Sequence, residues 1–463
     1  MIENVAKVIS SWAHIEGNVS SKEEILEWVE KLNKTLEVSI IPSTLKGSNF
    51  WFIDKNNGCI TNKNNSFFSV KGIRVIDEEE GVIEQPIVMQ DEIGYLGIIC
   101  KEIDGVLNFL MQAKIEPGNI NKIQISPTIQ ATKSNFMKKH GGKSPAYLDY
   151  FLNANNYTII VDQIQSEQSS RFYKKRNRNT IIKVDEEIEV LPSHKWMTLG
   201  QIKELMKIDN LVNMDTRTVL SCIPFVSEDL SEKELEEIKG MFNDKALFNS
   251  IFNKDSSNIL TLIYKYINDY KMFNENKIEL VGLNELDTWT IDEYGIRCKE
   301  PYSFSVIYCN IEVEGREVTR WTQPLFKAEG VATFGLITTI ENDVRKFLVK
   351  CRHEVGCFDQ MEVGPTVQKE AIGKRSDVDC VEEIFDNHLV TGEGVLYNVI
   401  LSEEGGRFYH EQNHNVIIEI NKNEISELPE GYFWVDYRTL NRLVQINNCL
   451  NIQLRNLLSL LEV

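Results

Sequence analysis

The sequence predicts an α+β protein of mixed strand and helix layers, made by tandem duplication of one domain. Three observations predict it. The chain has 463 residues, too many for one ordinary core and enough for two domains. Its second half repeats the first over a long ungapped stretch. Each half opens on a helical pattern, runs through several strand patterns and closes on another helical pattern, the order of a layered fold.

The repeat is read from matched residues. Gln85-Pro86 recurs as Gln323-Pro324, and the same displacement of 238 residues holds without a gap from there to Gln130 and Gln368. Within it Gly97 falls on Gly335, Phe109-Leu110 on Phe347-Leu348, Glu116 on Glu354, Gly118 on Gly356 and Pro127-Thr128 on Pro365-Thr366. Upstream, Trp51 falls on Trp289 and Asp54 on Asp292. Downstream, SEQSSRFY from Ser166 to Tyr173 matches SEEGGRFY from Ser402 to Tyr409, a displacement of 236. Matching glycines and prolines preserve backbone turns, so the two halves should share one scaffold.

The elements follow in order. Glu23 to Leu36 and Asn258 to Tyr270 carry apolar residues at three- and four-residue spacing, which predicts an opening helix in each copy. GIRVI, PIVMQ and YLGIIC in the first copy, and SVIYCNIEV and TFGLITTI in the second, predict strands. FLMQAKIEPG and FLVKCRHEVG predict one more strand each, stopped by glycine. TIIVDQI and TIIKV flank a polar turn, and a closing helix is predicted over Thr198 to Leu220 and over Tyr437 to Leu460. The first repeat then occupies residues 1–222, a helical connector 223–255, and the second repeat 256–463. Ser227 to Asn253, acidic and unmatched by the repeat, forms the connector.

Composition excludes several functions. A formal net charge of −19 opposes non-specific nucleic-acid binding and attachment to an anionic membrane. An anionic ligand therefore needs a local basic cluster acting against the global field. No apolar run reaches the length of a membrane span, and the N-terminus shows no basic segment followed by an apolar block. Nine scattered cysteines without a C-x-x-C pair fit reduced thiols. A cytoplasmic protein is expected.

Three stretches carry candidate chemistry. Arg171-Phe-Tyr-Lys-Lys-Arg-Asn-Arg-Asn179 concentrates basic residues between two strands, where charge-assisted hydrogen bonds could hold a diphosphate. The second copy keeps Arg407 but sets His410, Glu411 and Gln412 against Lys174, Lys175 and Arg176. A solvated basic hairpin is the alternative. Gln112-Ala-Lys-Ile-Glu116 places Gln112, Lys114 and Glu116 on one face of a strand, as an acid/base pair or a structural ion pair. Ser126-Pro-Thr-Ile-Gln-Ala-Thr-Lys-Ser-Asn135 reads as a turn rich in side-chain donors, or as a plain turn. The histidines form no metal constellation; His410-x-x-x-His414 is the closest pair and sits in a hairpin. His140-Gly-Gly-Lys-Ser144 resembles the end of a phosphate loop without its upstream glycines.

QAKIEPGN, QISPTIQATKSN and SEQSSRFYKKRNRN, with the weaker forms EVGPTVQ and SEEGGRFY, resemble the NDP-hexose 2,3-dehydratases over nearly the whole chain. The second copy departs most, in Lys350-Cys-Arg-His-Glu-Val-Gly356 and in its lost cationic hairpin. The resemblance implies two Nudix-like α/β/α domains, a homodimer and a dTDP-sugar substrate, dTDP-4-keto-6-deoxyglucose, which loses its C2 hydroxyl. The implied elimination calls for no metal and no redox cofactor, in keeping with the missing Nudix box. On this resemblance Lys114, Glu116 and Tyr173 are candidates for proton transfer and enolate stabilisation. Gln85, Gln112, Gln130 and Asn177 are candidates for the sugar, and Arg171, Lys175 and Arg178 for the diphosphate. Trp51 or Tyr95 is a candidate to stack on the base. The first copy is expected to hold the chemistry. The rival expectations are a metal-dependent hydrolase of the sugar's pyrophosphate and a binding protein without turnover.

Overall fold

The computed structural model describes residues 2–46, 48, 50–64, 67–77, 81–133, 145–225, 230–252, 258–313, 320–373 and 379–463. The His140–Ser144 stretch, with Ser134 and Asn135, lies outside them. Among the described residues the chain is α+β, with four sheets and flanking helices.

Two of the sheets are seven-stranded and built alike. In the first repeat the order is Thr158–Ser166, Arg176–Lys183, Gly94–Ile103, Val106–Ile115 and His194–Thr198. Ile123–Ser126 adds to Val106–Ile115, and Ile129–Ala131 adds to Gly94–Ile103. In the second repeat Val395–Ser402, Gln412–Glu419, Ala332–Glu341, Val344–His353 and Tyr432–Asp436 take the same places, with Met361–Gly364 and Val367–Lys369 as the added strands. Thr128 and Thr366 show how closely the copies agree. Each donates its hydroxyl to the carbonyl of the adjacent strand, Leu110 or Leu348, and accepts from the amide of Ile99 or Ile337.

The opening helix of the first repeat spans Lys22–Thr35 and starts on a reciprocal cap between Ser21 and Glu24. Each predicted closing helix is instead a pair: Leu199–Met206 with Met214–Ser221, and Tyr437–Val444 with Ile452–Ser459. The break has a local cause. Asn213 and Asn451 accept from Thr216 N and Leu454 N and restart the helix. The residues just before them bond to a strand, Ile125 N to Leu211 O at 2.8 Å and Val363 N to Cys449 O at 2.8 Å. The connector region holds helices Glu232–Met241 and Lys245–Phe252. Phe225 and Phe242 both pack on Trp12 of the N-terminal helix Ile2–Ala13.

The two smaller sheets lock the repeats together. Val38–Ser43 of the first repeat pairs with Phe304–Val313 of the second, and Lys277–Val281 of the second pairs with Ser69–Asp77 of the first. Each repeat thus lends its first strand to the other. Two buried arginines repeat the exchange: Arg217 Nη2 donates to Ser402 O at 2.6 Å, and its counterpart Arg455 donates to Ser166 O. Both are 1% exposed, and burial lowers the pKa of each. The core between the small sheets mixes Trp51, Phe68 and Phe172 with Trp289, Phe304, Phe326 and Phe408. All nine cysteines are free.

Candidate active site

The strand Val106–Ile115 delivers Gln112 and Lys114, and Glu116 follows where Pro117 and Gly118 end the strand. Period-two alternation brings Lys114 Nζ to 3.1 Å from Glu116 Oε1, with the glutamate side chain 7% exposed. Gln130, on Ile129–Ala131, donates its amide to Asp215 Oδ2 and accepts from Asn213 Nδ2 at 3.3 Å. Asp215 stands in the first turn of Met214–Ser221. Burial pushes its carboxyl well above the usual range, and Glu167, Glu116 and Glu404 add to the rise while Lys114 opposes it.

Glu404 belongs to the second repeat. The SEEGGRFY hairpin crosses over to close the first repeat's pocket. Gly118 N donates to Gly405 O at 2.6 Å, and His410 N donates to Gly118 O at 2.8 Å. No side chain fits at Gly118, because a Cβ there would run into the carbonyl of Phe408. The crossing brings Glu404 to the Lys114–Glu116 pair and Arg407 beside Glu404. Glu404 has its carboxyl pushed up by burial and by Glu116, against Arg407, Lys114 and Lys175. Arg407 donates to Gln90 Oε1 at 3.0 Å and lies 4.2 Å over the Phe68 ring.

The other hairpin makes the reciprocal crossing. Gly356 N donates to Ser169 O at 2.8 Å and Lys174 N to Gly356 O at 2.8 Å. Arg171 is thereby carried to the second repeat, where it pairs with Glu370 at 2.9 Å and lies 4.2 Å over Phe304. Tyr173 travels with it, with the Lys174 ammonium 5.2 Å over its ring. The three cations expected to clamp a diphosphate therefore do not converge. Arg178 makes a two-pronged pair with Asp162 at 2.6 Å and lies over Tyr95. Lys175 is buried and donates to Glu92 O. It shares its surroundings with Glu167, and burial moves both toward their neutral forms. Asn177 donates to Glu167. Gln85 bonds Ser170 O at 2.7 Å and accepts from Tyr302 at 2.9 Å, beneath the crossing hairpin. Trp51 is 3% exposed against Phe68, and Tyr95 packs on Phe151. Of the expected residues, the structure gathers Lys114, Glu116, Gln130 and Lys175 around Asp215 and Glu404, with Gln112 on the strand that carries Lys114.

Sequence reasoning missed Asp215, Glu404, Arg407 and His194. Asp215 carried a signal: its counterpart in the repeat is Gln453. Glu404 carried another, because its counterpart is Gln168. His194 pairs in register with Gln112, bonds Thr128 O at 3.1 Å, and is held neutral by burial with its pKa pushed down to about 4.

The second pocket has the same frame and other contents. Arg352 donates to Thr366 O at 2.8 Å and to Pro365 O. Gln368 donates to Glu354 Oε1 at 2.9 Å and accepts from Asn451 at 3.1 Å. Burial lifts the Glu354 carboxyl to about 7. Lys350 and Tyr432 both bond Asp379.

Fold and site together define a two-repeat protein with matched scaffolds and unlike pockets, one of which sets a lysine–glutamate pair beside a carboxylate from the other repeat. Residues 22–223 and 260–461 each match the profile of the NDP-hexose 2,3-dehydratase family, and the chain belongs to that family. It is 38% identical over 417 residues to a dTDP-4-dehydro-6-deoxy-α-D-glucopyranose 2,3-dehydratase of Saccharopolyspora spinosa, covering 89% of this chain and 85% of the relative. Proteins of the same description from Streptomyces violaceoruber and Amycolatopsis orientalis are 34% and 30% identical. They cover 88% and 98% of this chain and 90% and 93% of their own lengths.

Proposed function

We propose that this chain removes the C2 hydroxyl of dTDP-4-keto-6-deoxyglucose, and that the first repeat's pocket does it. The carrying observation is the Lys114–Glu116 pair, 3.1 Å apart, against which the crossing hairpin sets Glu404, with Arg407 beside Glu404. The relatives' descriptions support the substrate.

The C4 ketone acidifies the C3 hydrogen. Glu116 takes that proton, and the electron pair forms an enolate whose oxygen the Lys114 ammonium stabilises. As the C4 carbonyl re-forms, C2=C3 forms and the C2–O bond breaks. The hydroxyl leaves as water with a proton from Glu404, whose raised pKa suits an acid. The enol at C3 then takes a proton on C2 from Glu116 and gives its hydroxyl proton to Glu404. The product is a 3,4-diketo-2,6-dideoxy sugar nucleotide and both carboxyls are reset. Arg407 suits the diphosphate, with Gln112 beside the sugar. Tyr173 takes no step in this scheme, because its hairpin lies against Gly356.

The repeats are Nudix-like domains in this proposal, and the working form is a homodimer. Incubation with the 4-keto sugar nucleotide, read by mass spectrometry, tests the reaction. The expected product has lost one water, with and without EDTA. Release of a nucleoside monophosphate dependent on Mg²⁺, or an unchanged sugar, would overturn it.

A further inference from the structure

Each crossing hairpin sets an arginine in a matching seat of the other repeat. Arg407 lies 4.2 Å over Phe68, and Arg171 lies 4.2 Å over Phe304. Each bonds the carbonyl of the residue before it through Nη1. The Nη2 groups then differ. Arg407 Nη2 donates to the neutral amide oxygen of Gln90 at 3.0 Å. Arg171 Nη2 donates to the Glu370 carboxylate at 2.9 Å. The repeat shows where the difference arises: Ala328 stands at the place of Gln90, and Thr132 at the place of Glu370. The next neighbours differ in the same sense, since Lys175 stands near Arg407 and its counterpart Glu411 near Arg171. Glu404 is the carboxyl beside Arg407, and burial pushes it toward its neutral form. Burial works against the Arg171 cation too, and Glu370 and Glu411 outweigh it. The Arg171 side chain is 3% exposed and that of Glu370 38%, so the pair is reached from the glutamate's side. A cavity of about 640 Å³, lined in part by Tyr302, Phe304, Ile372 and Tyr409, gives a ligand room against the Phe304 ring.

We infer that Glu370 is a resident anion: its carboxylate holds, on Arg171, the place that a nucleotide's phosphate takes on Arg407, and so confines nucleoside diphosphates to the first pocket. The inference rests on the proposed function, in which Arg407 meets the substrate's diphosphate. A guanidinium paired with a carboxylate has its charge and its donors engaged, so a phosphate must displace the carboxylate before it binds. A guanidinium bonded to an amide oxygen keeps its charge for an incoming anion. The second repeat thus retains a cationic seat and closes it with its own chain.

The number of dTDP molecules bound per chain, measured by titration calorimetry at pH 7, tests this. The parent protein should bind one. Glu370→Gln should bind a second, with kcat and KM for water loss unchanged, and adding Arg171→Met should remove that second site. Thr132→Glu sets a carboxylate at the matching place for Arg407. It should weaken the parent's single site at least about tenfold, the worth of a charge-assisted contact. The Tm of each variant reports whether it folds. Two dTDP molecules on the parent would overturn the inference, because Glu370 would then bar nothing. So would a folded Glu370→Gln that binds only one, or a folded Thr132→Glu that binds as the parent does. If Glu370→Gln does not fold, the parent's count and Thr132→Glu decide. Failure of the dehydratase proposal looks different: the parent would bind no dTDP, or would release no water from the 4-keto sugar nucleotide.

Discussion

At position 362 the second repeat carries a carboxyl where the first carries the amide of Gln124. The pair is matched in its bonds. Gln124 donates to Ser402 Oγ at 2.8 Å, and Glu362 accepts from Ser166 Oγ at 2.8 Å. Glu362 is 1% exposed, and burial pushes its carboxyl from the ordinary 4.5 up to about 8. The folded state therefore holds a proton that the unfolded chain gives up. The stability Glu362 contributes is full below about pH 4.5 and is lost as pH rises through about 8. Glu362→Gln should raise Tm by several degrees at pH 8.5 and by little at pH 5; equal shifts at the two pH values would contradict this. Glu362 was invisible as a problem in the sequence, because a glutamate in a strand is ordinary until both faces are covered. Lys114 was legible, by contrast, from alternation with Glu116. Lys114→Ala should nearly abolish turnover. Arg352→Ala, at the matching position, should spare most of it and lower Tm instead, since Arg352 bonds the carbonyls of Pro365 and Thr366. The reverse pattern in a water-loss assay would place the chemistry in the second repeat.

The hairpins are the elements that decide which residues meet. Their sequences announced two charged turns, and the position of each in its own copy suggested that each serves that copy. In the fold each serves the other, because Gly118 and Gly356 let a foreign backbone approach where any side chain would collide. Arg171 and Arg407 change pockets with them. Gly118→Ala forces the second repeat's hairpin away and should cost about 1–3 kcal/mol of stability together with most of the turnover. Gly356→Ala should cost similar stability and spare the turnover per folded molecule. Thermal unfolding alongside kcat distinguishes these outcomes, and equal loss of kcat in both would mean that hairpin placement does not govern the site. The same logic predicts that Arg407→Ala raises KM for the nucleotide sugar more than Arg171→Ala does. The closing helices were legible as helical and not as broken. Asn213 and Asn451 can sit within a helical pattern, and only their bonding beside the strand turns them into caps.

The whole molecule is two interlocked copies rather than two beads. The exchanged strands Val38–Ser43 and Lys277–Val281, the crossing hairpins and the buried Arg217 and Arg455 all run between the repeats. A half expressed alone, residues 1–222 or 256–463, lacks a strand of one of its sheets and leaves a buried arginine without its carbonyl partner. Neither half should unfold cooperatively by itself, and co-expression should restore a complex that does. Cooperative unfolding of either isolated half in circular dichroism would contradict the interlock. In the proposed scheme, interlocking also gives the second copy a part in the first pocket, since its hairpin carries Glu404 and Arg407 across.

The sequence by itself determined the duplication, the α+β character, the strand carrying Gln112, Lys114 and Glu116, and the family resemblance. These are local or collinear properties: periodicity sets the face of a strand, and matched glycines and prolines set matched turns. Only the tertiary structure decided which copy each hairpin serves, that Arg171, Lys175 and Arg178 part company, and that Asp215 stands behind Gln130. These depend on contacts between residues far apart in the chain, and an internal repeat hides them. When two copies present identical edges, pairing within a copy and pairing across copies satisfy the same hydrogen-bond pattern, so the sequence does not distinguish them. Packing of both copies around one shared core selects the crossed arrangement.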